Sequence, residues 1–141
     1  MKKIVLSFLF LFIINMNAFS IELYEKNKID KNLEICLEKN SITQAQIECI
    51  DLAEKEWNLE MDKYYKLLLK KLDKKNTSKL IKSQNNWLFF KNEELKFIEE
   101  LYKNKQGTMF IPMQENEKLR LIKDRVFTLK NYYDLEIDFS D

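Results

Sequence analysis

Catalysis needs groups that move protons, attack carbon or hold metals, and this chain of 141 residues is short of them. It has no histidine, which removes the commonest general base and every Ser-His or Cys-His nucleophile arrangement. Its one glycine, Gly107, cannot build a glycine-rich phosphate loop. Carboxylates stand in close pairs at Glu93-Glu94 and Glu99-Glu100, with Glu115 and Glu117 further on. Those are the residue types of a glycosidase dyad. They fall between lysines, however, on the polar side of a helical pattern or at its edge, so a solvated face laced with ion pairs is the stronger reading. Asn76-Thr77-Ser78 has the form of an N-glycosylation acceptor, a triplet common by chance that marks only a surface turn. The inventory argues against an enzyme and for no cofactor and no metal.

Cys36 and Cys49 are the only cysteines, with 12 residues between them. Two cysteines without histidine make a poor zinc set, which leaves an internal disulfide, two free thiols or a bond between molecules. The N-terminus bears on that choice. Met1-Lys2-Lys3 precedes 11 almost purely apolar residues at 4–14, too few to cross a bilayer, which takes about 20. Ala18-Phe19-Ser20 then places small residues at a signal-peptidase site. Residues 1–20 read as a signal peptide cleaved after about Ser20, against the alternative of a retained anchor. The protein is then expected in the periplasm or secreted, with no integral membrane segment after cleavage. In that oxidising space a Cys36–Cys49 disulfide is expected, contributing about 3 kcal/mol for a loop of this length.

Of 24 basic and 23 acidic residues, cleavage removes two lysines and no acid, leaving a net charge of about −1. That balance gives no electrostatic case for nucleic acid or a membrane surface as partner. One proline, one glycine and abundant Lys, Leu, Glu and Asn favour long helices with few turns.

The elements that would position these residues follow from apolar spacing. Residues 80–102 carry the broadest face: Leu80, Ile81, Trp87, Leu88, Leu95, Ile98, Leu101 and Tyr102 fall together at about 100° per residue, widened by Phe90 and Phe97. This stretch is expected to be the central helix, with Trp87 as a buried anchor. Gln84 and Lys91 sit in the middle of its face, where a polar group must find partners. An internal polar cluster, with Lys91 lying along Trp87, meets that need. Phe89 projects on the polar side. It is either covered by residues 109–113 or a contact residue for a protein partner.

A preceding helix over 44–73 is expected from Ile50, Ala53, Trp57, Met61, Tyr64, Leu68 and Leu72, with Thr43 and Gln46 forming a capping box. Thr77 or Ser78 would cap the next helix after a short connection at 73–76. Residues 109–113, containing Pro112, read as a non-helical segment lying across the hairpin, before a last helix over 114–133. The predicted fold is all-α, a small antiparallel bundle of three long helices with a disulfide-stapled N-terminal segment. Residues 21–35 would be a flexible lead-in, 36–133 the domain, and 134–141 an acidic, frayed tail.

Taken together, these residues resemble the lysozyme inhibitor LprI N-terminal domain-like family of exported bacterial helical domains. The resemblance starts at Cys36, Thr43-x2-Gln46-x2-Cys49 and Ala53, and continues through Met61-Asp62-x2-Tyr65. Its strongest part is Leu80-x3-Gln84-x2-Trp87-Leu88-x2-Lys91-Asn92, and Gly107-Thr108 with Arg125-x3-Leu129 closes it. The likeness marks Thr43, Tyr65, Leu80, Gln84, Trp87, Lys91 and Arg125 as structural motif positions. Many members carry a second cysteine pair where Leu95 and Glu117 stand here. Both partners are missing together, which supports Cys36–Cys49 as the remaining bond. Lys91 replaces the family's usual arginine and gives up its bidentate fork. The resemblance implies a periplasmic or secreted binding protein that occludes a lysozyme-type muramidase without chemistry. The alternative expectation is a cell-envelope interaction or scaffold module with a different protein partner.

Overall fold

The computed structural model describes residues 27–138. The signal peptide expected at 1–20, the first part of the lead-in and the last residues of the tail lie outside them. Within them the chain forms four helices and no strand: α1 (Lys28–Lys39), α2 (Thr43–Lys71), α3 (Lys74–Tyr102) and α4 (Phe110–Asp138). The last three have 29 residues each, roughly 43 Å at 1.5 Å per residue. There are thus four helices rather than three, because the charge-rich lead-in is already helical from Lys28. Asn27 starts α1, its Oδ1 accepting from the Ile29 amide at 2.8 Å, and Ile29 is buried against the other helices. Its inward residues Ile29, Leu33 and Leu37 recur at steps of four, too few among the charges to hold a helix alone but enough once neighbours are present.

The centre of the molecule is α2 against α4, which makes the most extensive contact. Ile50, Ala53, Trp57, Met61 and Leu68 from α2 meet Leu119, Ile122, Val126 and Leu129 from α4. Trp57 is 1% exposed, and its ring meets Phe127 edge-on at 5.3 Å between centroids. Tyr64 meets Tyr133 at 6.0 Å. Both pairs advance in the same direction, so α2 and α4 run parallel. The α3 helix returns antiparallel between them in sequence and packs on α4 more than on α2, while α1 lies against the first half of α2. The expectation that 80–102 is the central helix is therefore corrected. Only Leu80, Gln84 and Ile98 of α3 are buried, and Trp87 is half-buried. A wide apolar face marks a helix with much to cover, not one that is covered on every side.

Local chemistry explains the other revisions. Ile42, not Thr43, precedes α2, with no side-chain cap; Gln46 Nε2 instead donates to the Asn40 carbonyl at 3.1 Å. Asp73, not Thr77 or Ser78, caps α3, its Oδ1 accepting from the Asn76 amide at 2.7 Å, so the connection from α2 shrinks to two residues. Phe110–Met113 is the first turn of α4 rather than a non-helical strap. Pro112 is tolerated there because the first-turn amides have no helical acceptor to lose. Gly107, at φ +105°, supplies the left-handed residue in the connection between α3 and α4. The tail is helical through Asp138.

Candidate functional site

The disulfide expected from the sequence is present: Cys36 of α1 and Cys49 of α2 are bonded, with Cα atoms 5.8 Å apart. Asn40 tightens the same corner, donating from Nδ2 to the Cys36 carbonyl at 2.8 Å. A second tie reaches across to α4, where Lys123 Nζ pairs with Asp30 at 2.7 Å and also lies 5.4 Å from the centre of the Trp57 ring. A small cleft of about 130 Å³ opens beside the disulfide, lined mainly by Ile29, Leu33, Leu52 and Ala53 with Glu56 at its edge. Enclosing a drug-sized molecule takes several hundred Å³, so this cleft does not hold one.

The inward polar residues of α3 converge on α4. Arg125, buried, donates from Nε to Gln84 Oε1 at 2.9 Å and from a terminal nitrogen to Ser83 Oγ at 3.3 Å. Gln84 Nε2 in turn points at Met61 Sδ, 3.7 Å away on α2. Trp87 carries two cations over its ring, Arg125 at 5.7 Å and Lys91 at 5.6 Å from the centroid, both within cation–π range. Burial lowers the Arg125 pKa from its ordinary value, a nearby Tyr132 opposing. Among the described residues no carboxylate bonds it; two neutral oxygens accept its hydrogen bonds and the face of Trp87 lies beneath its charge. Among the motif positions, Gln84, Trp87, Lys91 and Arg125 thus come together, with Leu80 buried one turn away. Thr43 and Tyr65 lie elsewhere on α2, both half-buried. Ser83 went unnoticed in the sequence, since a lone serine beside an inward glutamine carries no signal.

This cluster fastens α3 to α4. The paired carboxylates disperse along the surface into ion pairs: Glu93 with Lys96 at 2.7 Å, Glu100 with Lys103 at 3.2 Å, Glu99 with Lys118 at 3.5 Å, and Glu117 with Arg120 at 2.7 Å. Among the described residues, no three His, Cys, Asp or Glu side chains are grouped to hold a metal ion. No helix among them is long and apolar enough to cross a membrane.

What remains for function is outer surface. Phe89 is 71% exposed, and residues 109–113 do not cover it. On α2 an outward edge combines the exposed Leu52 and Leu59 with Glu48, Asp51 and Asp62, interrupted by Lys55 and ended by Lys66, which pairs with Asp62 at 3.1 Å. Six acids fall between Glu48 and Asp62 against Lys55 alone, whereas the last turn of α2 is basic, with Lys70 and Lys71. The edge escaped the sequence reading because whole-chain charge averages it away.

Comparison with known proteins bears on this surface. The sequence model of a family described as lysozyme inhibitor LprI matches residues 36–129. A crystal structure of an uncharacterized protein from Burkholderia thailandensis is similar in fold, with a TM-score of 0.74 and 26% identity. The similarity covers 82% of this chain and 58% of that one, so this chain spans a little over half of that protein's length. Among curated proteins nothing matches.

Proposed function

The chain belongs to the lysozyme inhibitor LprI family, and from that premise we propose that it is an exported binding protein that occludes a lysozyme-type muramidase and does no chemistry itself. The observation that carries this reading is the outer edge of α2, where exposed Leu52 and Leu59 lie among Glu48, Asp51 and Asp62. Lysozymes are commonly basic, and an acidic edge raises the rate at which a basic protein meets it. Apolar side chains at the middle of such an edge then supply the desolvated contact that holds the pair. The family match begins at Cys36 and ends at Leu129, so it takes in the disulfide corner and this whole edge. Export is part of this proposal: it is supported by the signal-peptide pattern of residues 1–20, with cleavage after about Ser20, and its destination would be the periplasm or the outside of the cell.

A second reading, an envelope interaction or scaffold module with some other protein partner, is favoured by the exposed apolar residues of α3, which lie away from the α2 edge. Direct binding separates the two. The oxidised protein, titrated against a panel of basic muramidases at low and high salt, should bind with an association rate that falls as salt rises. Asp51→Lys combined with Glu48→Lys should slow association further without changing the fold. Absence of binding to every muramidase would leave the second reading.

A further inference from the structure

The α3 helix carries its charges in the reverse of the order that suits a helix. Lys74, Lys75, Lys79, Lys82 and Lys91 occupy residues 74–91 with no acid among them. Glu93, Glu94, Glu99 and Glu100 then crowd into 92–102 against Lys96 alone. The helix dipole favours acids early and bases late; the caps Asp73 and Lys103 obey this, but the body of the helix between them does not. Asp73, the cap of α3, is the one acid at the head of this basic half, and its carboxylate accepts from Asn76 rather than from a lysine. Lys74, Lys75, Lys79 and Lys82 are exposed and make no ion pair there. The antiparallel α2 brings Lys70 to the same end, adding like charge, while its Lys66 is paired with Asp62 at 3.1 Å.

Those charges share one outward stripe with unburied apolar groups. At steps of three and four, Lys75, Lys79, Lys82 and Asn86 lead to Phe90, Glu93, Phe97 and Leu101, with Glu100 alongside. Phe90 is 50% exposed, Phe97 57% and Leu101 52%. We propose that a second copy of this chain docks on the stripe, α3 against α3 in antiparallel. With the twofold axis near residue 88, Lys82 comes level with Glu93 of the second copy, Lys79 with its Phe97, and Lys75 with its Glu100. Glu93 and Glu100 would then be shared between their exposed partners Lys96 and Lys103 and the new ones, and such surface pairs hold weakly. Phe90 of each copy lies beside the axis, and Phe89 flanks it. A helix basic in its first half and acidic in its second is complemented along its whole length by the same helix reversed, so the copy is its own partner. A basic protein would match only the second half, and an acidic one only the first.

Sedimentation of the oxidised protein over a range of concentrations tests this. The wild type should associate to twice its monomer mass, less so at high salt. Lys79→Glu with Lys82→Glu should be monomeric, as should Glu93→Lys with Glu100→Lys, and circular dichroism should be unchanged since all four positions are exposed. Mixed one to one, the two variants should dimerise again, because each then supplies what the other lost. A wild type monomeric at every concentration, a dimer that survives both sets of reversals, or a mixture that stays monomeric overturns the proposal. So does a stripe that binds only a muramidase.

Discussion

At Trp57 nearly the whole indole is out of water, between the α2 and α4 stripes, with Phe127 edge-on and Lys123 over the ring. Trp57→Ala should cost roughly 3 to 5 kcal/mol, the usual loss for a fully buried aromatic, and leave little folded protein in a thermal melt. Trp87→Ala should cost less, about 1 to 2 kcal/mol, since that ring is only partly buried against the edge of the core and carries a pair of cation–π contacts. Equal losses at the two tryptophans would mean that the core is misplaced. Arg125→Ala should cost about 1 to 3 kcal/mol by stranding the buried Gln84 amide, readable as a lower midpoint in urea. The inward position of Gln84 is legible in the sequence, because a polar residue interrupts a regular apolar stripe there. Its partner is not, since Arg125 lies 41 residues further on and no local pattern joins them.

Among the elements, α1 is the one held by covalent means. Its ties to the body are the disulfide, the Lys123–Asp30 ion pair and the burial of Ile29. Reducing Cys36–Cys49 should lower stability by about 3 kcal/mol and raise hydrogen exchange first in Lys28–Lys39. Exchange unchanged in α1 on reduction would show the bond to be dispensable. The stripes of α2 and α4 are readable from spacing alone, because each faces one continuous neighbour. The depth of α3 is not. Spacing reports how many apolar residues share a side, whereas burial depends on how much partner surface reaches them. On α3 that surface runs out before Phe90, Phe97 and Leu101 are covered. The exact cap of each long helix was likewise beyond reach, since Asp73 and Thr77 are both good capping residues and only the tightness of the turn chooses between them.

For the molecule as a whole, the absence of histidine and of free cysteine has a direct consequence. Side chains of ordinary pKa do not titrate between about pH 6 and 9 in such a chain, so the melting temperature should stay level across that range. The alkaline side is different. Lys130 and Lys63 have pKa values raised above the usual 10.5, chiefly by hydrogen bonds to Asp134 and Glu60. A raised folded-state pKa favours the protonated folded form, so this small contribution is complete below the unfolded value and disappears as pH climbs through the folded one. A melting curve that moved by several degrees between pH 6 and 9 would point to a group outside this description. At this scale the all-helical class and the family are legible in the sequence, while the acidic α2 edge and the reversed charges of α3 needed the helices set side by side.

The most direct measurement is the rate at which a basic muramidase digests purified cell walls while the folded, oxidised protein is titrated in. A protein that works by covering the enzyme should reduce the rate in proportion to its concentration, more weakly at high salt, and Leu59→Asp should weaken it further. Full digestion at a large molar excess would contradict lysozyme inhibition for this chain.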